Sequence, residues 1–169
     1  MNLSVFPISG NVDGVKSTLL NMKEMVFKTD KDRIVKETAS SLIKKIPPSN
    51  LLMQVKIITG WVRRNLHYVR DIAGVEELTN PTTILYNIRE GRQTHSADCD
   101  DYAILISALL RSIGFVTRLE AVAVNENRYN HARVSVLIGE LWFPIEGTRN
   151  TEVGFALPTN LPILYVEVV

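Results

Sequence analysis

Apolar residues recur at helical spacing through the first two thirds of the chain and at alternating spacing through the last third. Residues 1–12 read as an extended lead-in with turn signals at Pro7 and Ser9-Gly10. Over residues 13–28, Val15, Leu19, Met22 and Val26 fall three or four apart, which predicts a helix with one buried face. Thr29-Asp30 reads as the cap of a second helix over about residues 30–46, bearing Ile34, Ala39, Leu42, Ile43 and Ile46, and Pro47-Pro48 stops it. Ser49 or Asn50 then caps a third helix to about Leu66, with Leu52, Val55, Ile58, Trp61 and Val62 near one face. His67 to Arg70 reads as a short extended exit, and residues 70–80 as a polar connection. Pro81 suits the first turn of a short helix over about 81–89, and residues 91–97 form a loop. The segment from Cys99 to about Ile113 is apolar on nearly all sides, so it belongs inside the protein, and Gly114 ends it. Strands follow at about 115–124, 131–138, 141–146 and 162–168. Helices first and antiparallel strands last predict an α+β fold.

The two middle strands form a hairpin. Ile138-Gly139-Glu140-Leu141 places Gly first in a two-residue loop, which suits a type II′ turn. In that register Ile138 faces Leu141, Val136 faces Phe143 and Val134 faces Ile145, giving one apolar face. The other face carries His131, Arg133, Ser135 and Leu137 on one strand, with Trp142, Pro144 and Glu146 on its partner. A one-residue slip would mix the two sets, so the pattern fixes the register. Pro144 falls in a pair without ladder hydrogen bonds, where its missing N–H is not needed. Glu146 then lies opposite Arg133 and diagonal to His131, within reach of long side chains. A carboxylate on a ring nitrogen of His131 would fix its tautomer and favour the imidazolium. A plain surface ion pair between Arg133 and Glu146 is the competing reading.

The chain has 169 residues, 46% of them hydrophobic and 22% charged, with a net charge of +1. These values fit one soluble domain. No basic block points to nucleic acid or a membrane surface, and no apolar run approaches the ~18 residues of a transmembrane helix. The N-terminus lacks a basic segment followed by an apolar run, so no secretory signal is expected. One cysteine excludes an intramolecular disulfide and fits a reducing compartment. The three histidines, His67, His95 and His131, show no CxxC, HxxxH or HExxH spacing, so neither a metal site nor a cofactor is expected.

That cysteine, Cys99, opens the buried helix in Asp98-Cys99-Asp100-Asp101-Tyr102-Ala103. A helix N-terminus carries about half a positive charge and unpaired amides, which favour a thiolate, the reactive form. Asp98 reads as the N-cap and Asp101, three residues on, as close to a capping box. Three carboxylates beside the thiol oppose ionisation, so reactivity requires an imidazolium and carboxylates turned outward. An inert buried thiol is the structural alternative. His67 reads as a residue at a helix end and His95 as a loop residue near the site mouth, either able to stand in for His131. Trp61 and Trp142 read as packing residues, with Trp142 on the His131 face.

Three blocks resemble the transglutaminase-like superfamily: Asp98-Cys99-Asp100-Asp101-Tyr102-Ala103, His131-Ala132-Arg133-Val134-Ser135-Val136, and Trp142-Phe143-Pro144-Ile145-Glu146-Gly147-Thr148. Trp61 to Tyr68 and Glu76 to Pro81 are similar to the approach segments of compact phage-encoded members. The resemblance covers roughly residues 30–150 and implies a papain-like fold. It makes 1–169 a single domain, with 1–29 an N-terminal helical extension, 30–150 the core and 151–169 a C-terminal loop and strand. It also implies Cys99 as nucleophile, His131 as general base and acid, and Glu146 as orienter. Glu146 stands where Asp is usual and Ala97 where Gly is common.

The implied chemistry is acyl transfer at a peptide-type carbonyl through a thioester, with the Cys99 amide as one oxyanion donor. Gln93, six residues before Cys99, is the candidate second donor, with the indole N–H groups of Trp61 and Trp142 as rivals. A peptidase or amidase is expected over a cross-linking enzyme, because amine transfer needs a second, water-excluding cleft. The expected partner is a peptide or protein substrate, in the cytoplasm or a virion. The alternative is a non-catalytic module among phage structural proteins, keeping the fold for binding.

Overall fold

The computed structural model describes residues 3–7, 12–69, 75–91 and 97–169. Helix α1 (Val12–Thr29) leads into α2 (Arg33–Ile43) and α3 (Leu51–Asn65) after strand β1 (Leu3–Pro7). Strand β2 (Val75–Thr79), α4 (Pro81–Arg89) and α5 (Cys99–Ser112) follow. The chain ends in β3 (Thr117–Val122), β4 (His131–Ile138), β5 (Leu141–Ile145) and β6 (Leu164–Val168). The last four form an antiparallel sheet in the order β5-β4-β3-β6. This is the α+β arrangement expected from the patterning.

Helix α5 is the centre of the molecule. Residues 100–110 are buried without interruption, because α1, α2, α3, β3 and β4 all pack against the helix. Gly114 at φ +97° ends the helix. The amides of Phe115 and Gly114 return to the carbonyls of Leu110 and Arg111, closing a Schellman motif that a residue with a Cβ would strain.

The hairpin has the register the alternation dictates: Val134 pairs with Ile145, Val136 with Phe143 and Ile138 with Leu141. Gly139 takes φ +64°, while Glu140 keeps a negative φ, as a type II′ turn requires. Strand β5 is an edge strand, which accommodates Pro144.

Three local expectations are corrected. Residues 75–79 are a strand, not part of a polar connection, because they pair antiparallel with β1 into a separate two-stranded sheet. The second helix starts at Arg33 rather than after a Thr29-Asp30 cap and stops at Ile43. Thr29 instead closes α1, donating its hydroxyl to the Met25 and Val26 carbonyls, and the Asp32 side chain accepts from Thr82 rather than capping α2. The extended exit after α3 is confirmed at Tyr68, which forms a parallel bridge with Ala97 just before α5.

Candidate active site

Asp98 sits in extended backbone at the N-cap of α5, and its side chain accepts from the amides of Asp100 (3.0 Å) and Asp101 (3.3 Å). This satisfies two of the free N–H groups at the helix start and fixes Cys99 in the first turn. The Cys99 thiol is half-buried and donates weakly to Oδ1 of Asp100 at 3.6 Å. Outward-turned carboxylates were a condition for thiol reactivity, and that condition is not met: Asp98, Asp100 and Asp101 are all buried. Asp101, at the third position of the helix, also reaches outside it. Its carboxylate accepts from the Thr79 amide (2.7 Å) and hydroxyl (3.4 Å), tying the end of β2 to the first turn of α5.

His131 is the first residue of β4, and Glu146 follows the last residue of β5. The side chains meet, with His131 Nε2 2.7 Å from Glu146 Oε2. The other oxygen, Oε1, accepts from Arg133 Nη1 (3.1 Å) and the Leu157 amide (3.0 Å). Arg133 therefore shares the carboxylate with His131 instead of displacing it. The surface ion pair is excluded as well, because Glu146 is fully buried and Arg133 nearly so. Burial alone would raise the Glu146 carboxyl. Hydrogen bonds from His131, the Leu157 amide and Arg133, with the attraction of His131, outweigh it and hold the group below its usual value. With Nε2 committed to Glu146, Nδ1 is the ring nitrogen left for proton exchange.

Close packing at Gly147 brings this end of the sheet against α5. A Cβ on Gly147 would lie 2.9 Å from Cβ of Tyr102 and 3.3 Å from Cδ1 of Ile106, so only glycine lets the chain after Glu146 cross α5 this closely. From α3, the Arg63 guanidinium donates to the carbonyls of Glu146 (2.8 Å) and Thr151 (2.9 Å), pinning the same segment from behind. Tyr102, one turn after Cys99, donates to the Leu66 carbonyl at 2.9 Å and locks the helix start to the end of α3. Burial raises the Tyr102 phenol above its ordinary value, so it stays a donor.

Of the remaining candidates, three are among the described residues. Trp61 is half-buried against the core. Trp142 lies four residues before Glu146, about 13 Å of strand away, with its ring stacked under the Arg118 guanidinium. His67 is exposed at the exit of α3. Gln93 and His95 lie outside the described residues. Among the described residues, no group of three His, Cys, Asp or Glu side chains is disposed to hold a metal ion, and no helix is long and apolar enough to cross a membrane.

The sequence profile of the transglutaminase-like superfamily matches residues 37–147. The chain belongs to the transglutaminase-like superfamily. No curated protein matches it significantly. Among solved structures it is similar to a "putative cysteine protease" from Cytophaga hutchinsonii, at 19% identity and a TM-score of 0.54, over 99% of this chain and 63% of that one. It is also similar to a "putative protease" from Parabacteroides distasonis, at 14% identity and a TM-score of 0.55, over 82% of this chain and 30% of that one. At these identities the likeness carries the fold of the transglutaminase-like chain alone. The chain spans less than two thirds of either structure. The profile match ends at Gly147, the glycine that crosses α5, and so takes in Cys99, His131 and Glu146.

Arg63 and Glu120 were not singled out from the sequence. Glu120 pairs directly with Arg133 across β3 and β4 and is fully buried. Its alternation with Arg118 on β3 was the available signal, legible only once the β3–β4 register is known.

Proposed function

We propose that this chain is a cysteine-dependent acyl-transfer enzyme acting on peptide-type amide bonds, a peptidase or amidase rather than a cross-linking enzyme. The observation that carries this reading is the buried His131–Glu146 pair at 2.7 Å, beside a chain segment that crosses the helix opened by Cys99 at Tyr102 and Ile106, one to two turns on. In this reading residues 1–169 act as one transglutaminase-like domain. Cys99, as thiolate, attacks the carbonyl carbon, and the carbonyl oxygen becomes an oxyanion to which the Cys99 amide donates. The C–N bond breaks as His131 gives its proton to the leaving amine, and a thioester remains. Water, deprotonated by His131, then releases the acid and regenerates the thiol. Glu146 holds the ring and stabilises its protonated form. Gln93 is the proposed second oxyanion donor.

One observation favours a second reading. The Cys99 thiol already donates to a buried carboxylate, an arrangement that favours the neutral thiol. A binding module that keeps the fold, as in a virion or assembly component, would tolerate this. Iodoacetamide alkylation of Cys99 across pH, in the native protein and in His131→Ala, separates the two. The enzyme reading expects a midpoint well below the ~8.5 of a free thiol, moved upward by the substitution. A midpoint at the free value, indifferent to His131, would overturn it.

A further inference from the structure

Glu146 is one end of a chain of paired charges along one face of the sheet, buried as far as Glu120. Arg133 reaches Glu146 with Nη1 and Glu120 with Nε, the latter at 2.6 Å to Oε2. Oε1 of Glu120 accepts from Arg118 Nε (2.6 Å) and from the Ser135 hydroxyl (2.7 Å). Arg118 forms the outer end, stacked on the rings of Trp142 and Tyr165. Every carboxylate oxygen in the series has a donor. Two guanidinium and two carboxylate charges cancel, so the series is neutral before His131 is counted.

Both carboxylates are fully buried. Interior charges are costly unless paired, and removing one partner leaves the other exposed to the full penalty. Placing three of them, Glu146, Arg133 and Glu120, behind a histidine makes that histidine's environment depend on how Arg133 divides itself between its neighbours. Held by Glu120, Arg133 gives Glu146 one hydrogen bond, to the oxygen that His131 does not use. Released from Glu120, it would become the full counter-ion of Glu146 and compete with the ring.

We propose that Glu120 is a positioning residue for the His131–Glu146 pair, acting through Arg133 to keep Glu146 Oε2 committed to the imidazole. The proposal deepens the enzyme reading above and rests on it for its catalytic meaning, but not for its measurement. The groups that face His131 are Glu146 from the end of β5 and, on β4, Arg133. Among the described residues, the other charges near this end of the molecule include Arg63 on α3, Asp98, Asp100 and Asp101 on α5, Glu126 and Arg128 before β4, and Arg149 and Glu152 after β5, and the test leaves all of them unchanged.

The test is the pH titration of the His131 ring by NMR in the full chain, with the resonance assigned by its loss in His131→Ala. Glu120→Gln removes the negative partner of Arg133 and is expected to lower the His131 midpoint by about half to one pH unit. Arg118→Gln removes the outer cation, leaves Arg133 as the cation paired with Glu120, and is expected to raise the midpoint by a few tenths of a pH unit. A merely structural role would loosen the site in both variants and move the midpoint in one direction. No change, or shifts of the same sign, would overturn the proposal. If Glu120→Gln does not fold, Arg118→Gln decides alone, a rise supporting the proposal and no rise refuting it. The ring titrates whether or not Cys99 is the nucleophile. Failure of the alkylation test therefore leaves this result standing. A null result here, with alkylation still dependent on His131, sinks only the positioning role.

Discussion

Replacing Asp100 by Asn measures how strongly the start of α5 opposes its own thiol. The carboxylate Oδ1 lies 3.6 Å from the Cys99 sulfur. At that separation two unit negative charges repel by about 1 kcal/mol in water and about 5 kcal/mol at an effective dielectric of ~20. The thiol is half-buried, so its surroundings lie between these limits. At ~1.4 kcal/mol per pH unit, removing the charge should lower the thiol midpoint by about one to two pH units. The fold changes little, because Asn keeps the size of the side chain and the loss at a helix first turn is about 0.3–1 kcal/mol. The assay is the pH–rate profile of iodoacetamide alkylation, followed by mass at the single cysteine. At a fixed pH below the midpoint, each pH unit by which the midpoint falls raises the thiolate fraction about tenfold and lowers intrinsic nucleophilicity about threefold, so the rate should rise about threefold. A midpoint that stays put or moves up would show that the Asp100 carboxylate does not govern the thiol, and the electrostatic argument built on that contact would fail.

Other perturbations test the supports of the site. Gly147→Ala drives a methyl against Tyr102 and Ile106; overpacking of this kind costs about 1–3 kcal/mol, and urea unfolding should show it, together with a changed His131 ring shift as Glu146 moves. The Glu146 carboxyl is held below its ordinary 4.5 in the folded state, so its contribution is fully present above that value and lost as pH falls through the lowered one. Glu146→Gln should therefore be less stable at pH 7 and lose less than the native chain between about pH 5 and 3; parallel urea midpoints through that window would refute the linkage. Ile106→Ala, at a fully buried position of α5, should cost about 2–5 kcal/mol and lower the melting temperature by roughly 2–4 °C per kcal/mol. Arg63→Met removes the two donors that pin the Glu146 and Thr151 carbonyls, and faster amide exchange over residues 147–157, with protection of α5 unchanged, is the expected result.

Sequence alone determined the elements whose signals are local. The 3.6-residue spacing of Leu19, Met22 and Val26 gave α1, the all-apolar run after Cys99 gave the central helix, and Gly114 gave its stop. The hairpin register was equally legible, because period-2 alternation on two strands joined by Gly139-Glu140 admits only one alignment that segregates apolar from polar. Once that register is fixed, His131 and Glu146 must share a face, and so their pairing was readable from the chain alone.

Tertiary structure decided the rest, because those features depend on partners distant in sequence. Strand β2, with Glu76 and Glu77, has no strand signature of its own and exists through pairing with β1. Asp98, Asp100 and Asp101 look like a solvated helix start; the end of β2, docked on Asp101, is part of what encloses them. Arg133 looked like a rival for Glu146 until Glu120, on a neighbouring strand, was seen to hold its other side. Periodicity reports which face of an element is buried, since that depends on spacing within one segment. Which charge meets which depends on how segments are brought together, and no spacing along the chain records it.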